Sequence, residues 1–305
     1  MAPSTALPEP FKRRVSSAFA NGSAWLDSLP SLIAECEARW KIKAGAPYAL
    51  SFNYVAPAQT AEGQSVVLKL GVPNFELVRQ IRALELYAGT AAVRLLDSDE
   101  RSGTMLLERI EPGYTLASLA DDEQATRAAA QVMRDLWKPL PPDLRFPTAA
   151  EWAGDLANLR KRFDRGTGPL PAGLVGRAEG LFRDLLSTAE PSVLLHGDLH
   201  HFNILAARRR PWLAIDPKGV AGEPAYEVGA LLRNPDPLLF TDPKVQRRRV
   251  QVLHEELGFA KDRMLGWGVA QAVLSAWWSL EDSATDWQAQ CACAEVLACL
   301  LAEFK

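Results

Sequence analysis

The chain has 305 residues, long enough for one large domain or two modest lobes. Hydrophobic residues make up 48% and charged residues 23%, a globular balance that excludes extended disorder. The net charge of −3 argues against a nucleic-acid binder, which needs excess Lys and Arg to neutralise phosphates.

Residues 1–12 are rich in Pro and lack the apolar core of a signal peptide, and no run reaches the ~18 apolar residues of a membrane span. A cytoplasmic protein with no membrane partner is expected, and no obligate protein partner is inferred. In chain order, Trp25, Leu29, Leu32, Ile33, Cys36 and Trp40 recur at helical steps and predict one amphipathic helix, with Gly45 and Pro47 after it. Tyr48–Val55 and Ser65–Leu70 are rich in aromatic and β-branched residues and predict an antiparallel hairpin. Asn74 is placed to cap a helix from Phe75 to Tyr87. Two strands are expected at Val93–Leu96 and Met105–Glu108, and Glu111-Pro112-Gly113 reads as a hinge.

Beyond the hinge the pattern is mostly helical, over 122–138, 149–163, 173–188, 224–233, 243–257, 262–281 and 285–303. Segment 192–216 breaks it with short strands at Val193–Leu195, Ile204–Ala206 and Trp212–Ile215 around polar loops. The basic runs Arg208–Arg210 and Arg247–Arg249 read as solvated faces. Three of the four cysteines (Cys36, Cys291, Cys293 and Cys299) crowd the last helix, where a Cys-Ala-Cys pair points its thiols apart. Buried, reduced thiols are expected.

The chemistry concentrates in His196-Gly197-Asp198-Leu199-His200-His201-Phe202-Asn203 and Ala214-Ile215-Asp216-Pro217, two polar loops that each follow an apolar strand. Phosphoryl transfer from ATP needs a carboxylate to orient the acceptor hydroxyl, oxygen ligands for Mg²⁺, and a cation on the phosphate tail. Asp198 suits the first need. Asn203 and Asp216 suit the second, because Mg²⁺ prefers hard oxygen donors. Lys69, inside the apolar strand Val66–Leu70, suits the third, since a lysine there is costly without an anionic partner.

The spacing Asp-x-x-x-x-Asn with a second Asp after a strand resembles the catalytic and metal loops of the protein-kinase-like fold. His-Gly-Asp and Asp-Pro make it similar to aminoglycoside phosphotransferases. The words LSFNYVAPA (50–58), AVRLLD (92–97), LLERIEPG (106–113) and DPKGVAGEPAYEVGALLRNP (216–235) resemble the streptomycin 6-phosphotransferase and hydroxyurea-resistance kinase family. The likeness runs from about Trp25 to the C terminus and is most specific over 192–235.

The resemblance implies a bilobal α/β (α+β) kinase-like fold, with a small β-sheet lobe over 1–110 and a larger helical lobe over 111–305. It implies Asp198 as the catalytic base or hydroxyl-orienting group, Asn203 and Asp216 as Mg²⁺ ligands, and Lys69 on the α/β-phosphates of ATP. Glu108–Glu111 becomes the adenine-binding hinge, with contacts at Glu108 and Ile110, and Glu227 braces the catalytic loop. The family usually carries a Glu on the helix after the lysine strand. Here Gln80 stands there, and Glu76, one turn earlier on the same face, is the alternative partner of Lys69. With no G-x-G-x-x-G loop, the phosphate-covering turn falls to Val55–Gly63. The implied acceptor is a hydroxyl of a small molecule: an aminoglycoside such as streptomycin, then hydroxyurea or a metabolite.

Two other classes stay open on the residues. One is a nucleotide-binding pseudokinase without turnover, suggested by Gln80. The other is a metallohydrolase using His196, His200, His201 and Asp198, since imidazoles and a carboxylate ligate transition metals. The chain has only four histidines, few for a dinuclear site, and His196 is read as bracing its loop.

Overall fold

The computed structural model describes residues 7–282 and 285–304. The chain divides into two compact units, Met1–Gly113 and Tyr114–Lys305.

The first unit contains α1 (Glu9–Ala18), α2 (Gly22–Trp40), β1 (Ile42–Ala44), β2 (Tyr54–Thr60), β3 (Ser65–Leu70), α3 (Phe75–Tyr87), β4 (Leu95–Asp99) and β5 (Thr104–Glu108). The strands form an antiparallel sheet of order β1-β2-β3-β5-β4, with β3 in the middle. Alternation sorts the faces: Tyr54, Ala56 and Ala58 of β2 and Val66, Leu68 and Leu70 of β3 pack with Phe11, Val15, Trp25 and Leu29 of the two N-terminal helices. Helix α1 lies where a Pro-rich tail was expected. Pro10 stands in its first turn, a position that tolerates a residue without N–H, and only Phe11 and Val15 are buried, too few to show a period.

The predicted first hairpin strand is displaced. Tyr48–Asn53 is irregular, and β2 runs from Tyr54 through Pro57. Pro57 fits because β1 pairs only with Ala58–Thr60, so the missing N–H falls beyond that pairing. The segment Val55–Gly63 is therefore mostly strand; its turn is Ala61–Gln64, with Gly63 at φ 82°. Strand β4 starts two residues later than expected, with a bulge between Leu95 and Asp97.

Strand β6 (Pro112–Thr115) spans the boundary, and the second unit contains α4 (Asp122–Leu136), β7 (Lys138–Pro139), α5 (Ala149–Ala153), α6 (Leu156–Arg162), α7 (Ala172–Ser187), β8 (Val193–Leu195), β9 (Ile204–Ala207), β10 (Trp212–Ala214) and β11 (Val220–Gly222). These are followed by α8 (Val228–Leu232), α9 (Pro237–Phe240), α10 (Pro243–Leu257), α11 (Lys261–Glu281) and α12 (Trp287–Ala302). The expected helix over 224–233 is a 3-10 turn, Pro224–Glu227, running into α8, and that over 149–163 splits into α5 and α6.

Helix α11 is the axis of this core. Met264, Trp267, Val273, Leu274 and Trp277 are buried around its circumference, and α7, α8 and α12 pack on it. The sheet β11-β8-β7 gives Leu195 and Val220 to this core, and a second small sheet, β10-β9-β6, has its strand β10 against α4. All four cysteines are free; Cys299 is exposed, contrary to the buried thiols expected. The run Arg247–Arg249 is not a uniformly solvated face, because Arg249 is fully buried. Among the described residues, no helix is long and apolar enough to cross a membrane.

Candidate active site

In the first unit, β3 places Lys69 opposite Val55 of β2 and Met105 of β5. Its side chain leaves the face away from Leu68 and Leu70 and is only 2% exposed. On α3, Gln80 lies on the buried face with Leu77, Ile81 and Leu84, whereas Glu76 is exposed in the first turn. At the end of β5, the Glu108 N–H donates to Arg94 O (3.0 Å), and its carboxylate accepts the Arg94 N–H (2.9 Å). Ile110 is half-buried just before the turn at Gly113. Gly113 has φ 76°, and a Cβ there would lie 2.7 Å from Ile110 O, so only glycine fits.

In the second unit, β8 delivers the chain to Gly197 and Asp198. Gly197 has φ 84°, and a Cβ would lie 2.7 Å from Val220 Cγ2 and 3.1 Å from the Trp152 ring. Glycine is required twice over, by backbone conformation and by crowding. Glu227, 1% exposed, holds this turn from behind: its two oxygens accept the His196 N–H (2.7 Å) and the Gly197 N–H (2.9 Å). Burial pushes the Glu227 carboxyl up to about 7, against the pull of those two amides.

His196 ties the two polar loops together. Its Nε2 donates to Ile215 O (2.7 Å), its Nδ1 accepts the Asp198 N–H (3.3 Å), and its carbonyl accepts the Lys218 N–H (2.7 Å). That pattern fixes the neutral Nε2–H tautomer. Burial takes the imidazole down to about 4, in agreement. Asn203 donates Nδ2–H to Asp198 O (3.0 Å), which orients the amide and makes Oδ1 its outward acceptor. Asn203 O accepts the Ile215 N–H (2.9 Å), so the residue before Asp216 is bonded to the end of the loop that carries Asp198. Asp216 sits at φ 59°, a left-handed conformation that costs a non-glycine residue about 1–3 kcal/mol and clusters at functional positions.

The Asp198 carboxylate is half-buried. Arg233 Nη2 donates to Oδ1 (3.3 Å), and His200 Nε2 lies 3.6 Å from Oδ2. Burial works against its charge, but the basic groups of His200, Arg233 and Lys218 outweigh it and hold Asp198 well below the usual carboxylate range. Of these, His200 accepts the Phe202 N–H on Nδ1 (3.2 Å), which leaves that nitrogen without a proton. Arg233 is the permanent cation. Asp198 is thus held in its ionised form.

The donor set suits Mg²⁺: an amide oxygen from Asn203 and a carboxylate from Asp216 are hard ligands, and this ion retains several waters. It does not suit a transition metal. Both nitrogens of His196 are engaged, and His201 is 1% exposed, beneath the loop rather than at its surface. Among the described residues, no group of three or more His, Cys, Asp and Glu is placed to hold a metal ion.

Sequence reasoning missed Arg233, the residue on Asp198. Its one signal is an arginine ending the apolar run Gly229-Ala230-Leu231-Leu232. It also missed Glu223, 3% exposed, which accepts from Arg263 Nε (2.7 Å) and from Trp267 Nε1 and so pins the Pro224–Glu227 turn to α11.

Comparison with known proteins shows the family of the chain. The family model described as aminoglycoside/hydroxyurea antibiotic resistance kinase matches residues 39–283. A streptomycin 6-kinase from Streptomyces glaucescens is 36% identical over 292 residues, covering 90% of this chain and 91% of that protein. A hydroxyurea phosphotransferase from Kitasatospora aureofaciens is 34% identical over 271 residues, covering 86% of this chain and 76% of its own. Among solved structures, an aminoglycoside phosphotransferase in ternary complex with ADP and hygromycin B superposes with a TM-score of 0.63 at 16% identity, covering 89% of this chain and 98% of that one. At that identity the likeness speaks for the kinase-like fold, while the two sequence relatives and the family match speak for descent. The chain belongs to the aminoglycoside and hydroxyurea antibiotic resistance kinase family.

Proposed function

We propose that this protein moves the γ-phosphoryl group of ATP to a hydroxyl group of an aminoglycoside, with streptomycin the first acceptor to test. The observation that carries the reading is Asp198: an ionised carboxylate on a loop fixed by Glu227 and His196, in a chain 36% identical to a streptomycin 6-kinase over 90% of its length. The acceptor hydroxyl gives its proton to Asp198 as its oxygen bonds to the γ-phosphorus. The bond from that phosphorus to the β,γ-bridging oxygen breaks, and ADP leaves. Asn203 and Asp216 would hold Mg²⁺, which when bound would supply charge neutralisation to the phosphates.

Lys69 is assigned to the α- and β-phosphates, and the end of β5, Glu108 to Ile110, to adenine. Helix α3 offers Lys69 two partners. Glu76 is the acidic one, and Gln80, on the buried face, the neutral one. ATP as donor assigns the reaction to the cytoplasm.

The hydroxyurea phosphotransferase relative supports hydroxyurea as a second acceptor, because its hydroxyl can make the same in-line attack. ADP release with ATP and Mg²⁺, measured over streptomycin, other aminoglycosides, hydroxyurea, sugars and amino alcohols, decides between them. Turnover is expected with streptomycin. Turnover with hydroxyurea alone selects the second reading, and ATP binding without product for any acceptor removes the transferase reading.

A further inference from the structure

Arg233 is 8% exposed and stands at the C-terminal end of α8, a helix of five residues. So short a helix does not hold its own end, and here α10 holds it. Gln246 Nε2 donates to Leu232 O (2.6 Å), and Arg249 Nη1 donates to Asn234 O (2.6 Å). Both side chains are fully buried. Arg249 is gripped in turn by the Asp122 carboxylate, with Nε 3.0 Å from Oδ2. The carbonyls on either side of Arg233 are thus fixed by two buried side chains of another helix.

The guanidinium itself is unevenly paired. Nη2 reaches Asp198 Oδ1 at 3.3 Å, while Nη1 is enclosed and meets no hydrogen-bond partner among the described residues. A buried arginine whose task is to hold the fold together has its donors satisfied, because an unmade bond on a charged group costs free energy. The contact with Asp198 is what this arginine is placed to make.

We propose that Arg233 is a positioning residue of the transfer reaction: it clamps Oδ1 of Asp198 and thereby turns Oδ2 toward the acceptor hydroxyl, with Gln246 and Arg249 holding the clamp from behind. Oδ2, 3.6 Å from His200 Nε2, is the oxygen that receives the proton. The inference rests on the kinase reading above. Misplacement of a reacting group by about 1 Å is worth about a hundredfold in rate.

The test compares Arg233→Gln and Arg233→Lys with the wild-type enzyme in ADP release, recording kcat and the KM of ATP and acceptor separately. Arg233→Gln lowers kcat about a hundredfold and leaves the KM of ATP within about twofold, and Arg233→Lys recovers about tenfold of the loss. Unchanged kcat would overturn the proposal, as would a loss of ATP affinity in step with kcat. A second arm needs no acceptor: the melting temperatures of Arg233→Gln, Asp198→Asn and the double variant. Arg233→Gln leaves a carboxylate without its cation and lowers the melting temperature, and adding Asp198→Asn restores at least half of that loss. Additive losses contradict the pairing. A wild-type chain that turns over no acceptor counts against the kinase reading, whereas the stability arm judges the Arg233 clamp separately.

Discussion

Lys69 and Asp198 are the charged groups at the centre of the proposed reaction, and the two units hold them by different means. Lys69 is one register position in a regular ladder; every neighbour on β2 and β5 follows from strand pairing. Asp198 sits on irregular backbone, where the ladder has stopped. Its place is set by side chains bonding to backbone across about thirty residues, Glu227 to His196 and Gly197 above all. A sheet tolerates exchange of one side chain because its hydrogen bonds belong to the main chain. The loop that carries Asp198 does not, because single side chains supply hydrogen bonds that hold it.

The sharpest way to break that comparison is Arg249→Ala. It removes the buried partner of Asp122 and of the Asn234 carbonyl, and about 3–5 kcal/mol of stability is expected to go with it. The exposed neighbours Arg247→Ala and Arg248→Ala are expected to cost far less, since their ion pairs are solvent-screened. Denaturant unfolding of the three variants measures the contrast, and equal losses would show that burial is not what separates them.

Next in size is Glu227→Gln, which faces an amide N–H with an NH₂ group where a carboxylate oxygen had been. A loss of about 1–3 kcal/mol is expected by the same measurement, with a fall in turnover because the Gly197 turn is released. Lys69→Met is the matching change in the first unit. It is expected to weaken ATP binding about 10–100-fold in calorimetry, the worth of one charge-assisted contact, with the sheet intact by circular dichroism.

The smallest effect is in pH. The Glu227 carboxyl is raised from 4.5 to about 7, so the folded chain holds that proton more tightly than the unfolded one. Its contribution to stability is full below about pH 4.5 and is lost as pH rises through 7. The stability gap between wild type and Glu227→Gln is therefore expected to narrow from pH 5 to pH 8. A gap that widens would show that the two amides keep this group ionised throughout.

The same contrast explains what was legible in the sequence. Val66, Leu68 and Leu70 alternate, so β3 and the odd lysine within it are readable from local pattern. The spacing from Asp198 to Asn203 is equally local. Arg233 and Arg249 are not readable this way. Each looks like an ordinary charge at a helix end or in a basic run, and only the packing of α8 against α10 shows that they are enclosed. Strands β7 and β11 escape because two or three residues carry no period, and they exist through pairing with β8. Helix α1 escapes because prolines that normally stop a helix stand at its start.

The central claim, that Asp198 takes the proton of the acceptor hydroxyl, is tested most directly by Asp198→Ala with ATP, Mg²⁺ and the best acceptor. Turnover is expected to fall at least about a thousandfold, while ATP affinity in calorimetry and the circular dichroism spectrum stay close to wild type. Turnover within tenfold of wild type would contradict the claim and move the search for the base to another residue of the loop.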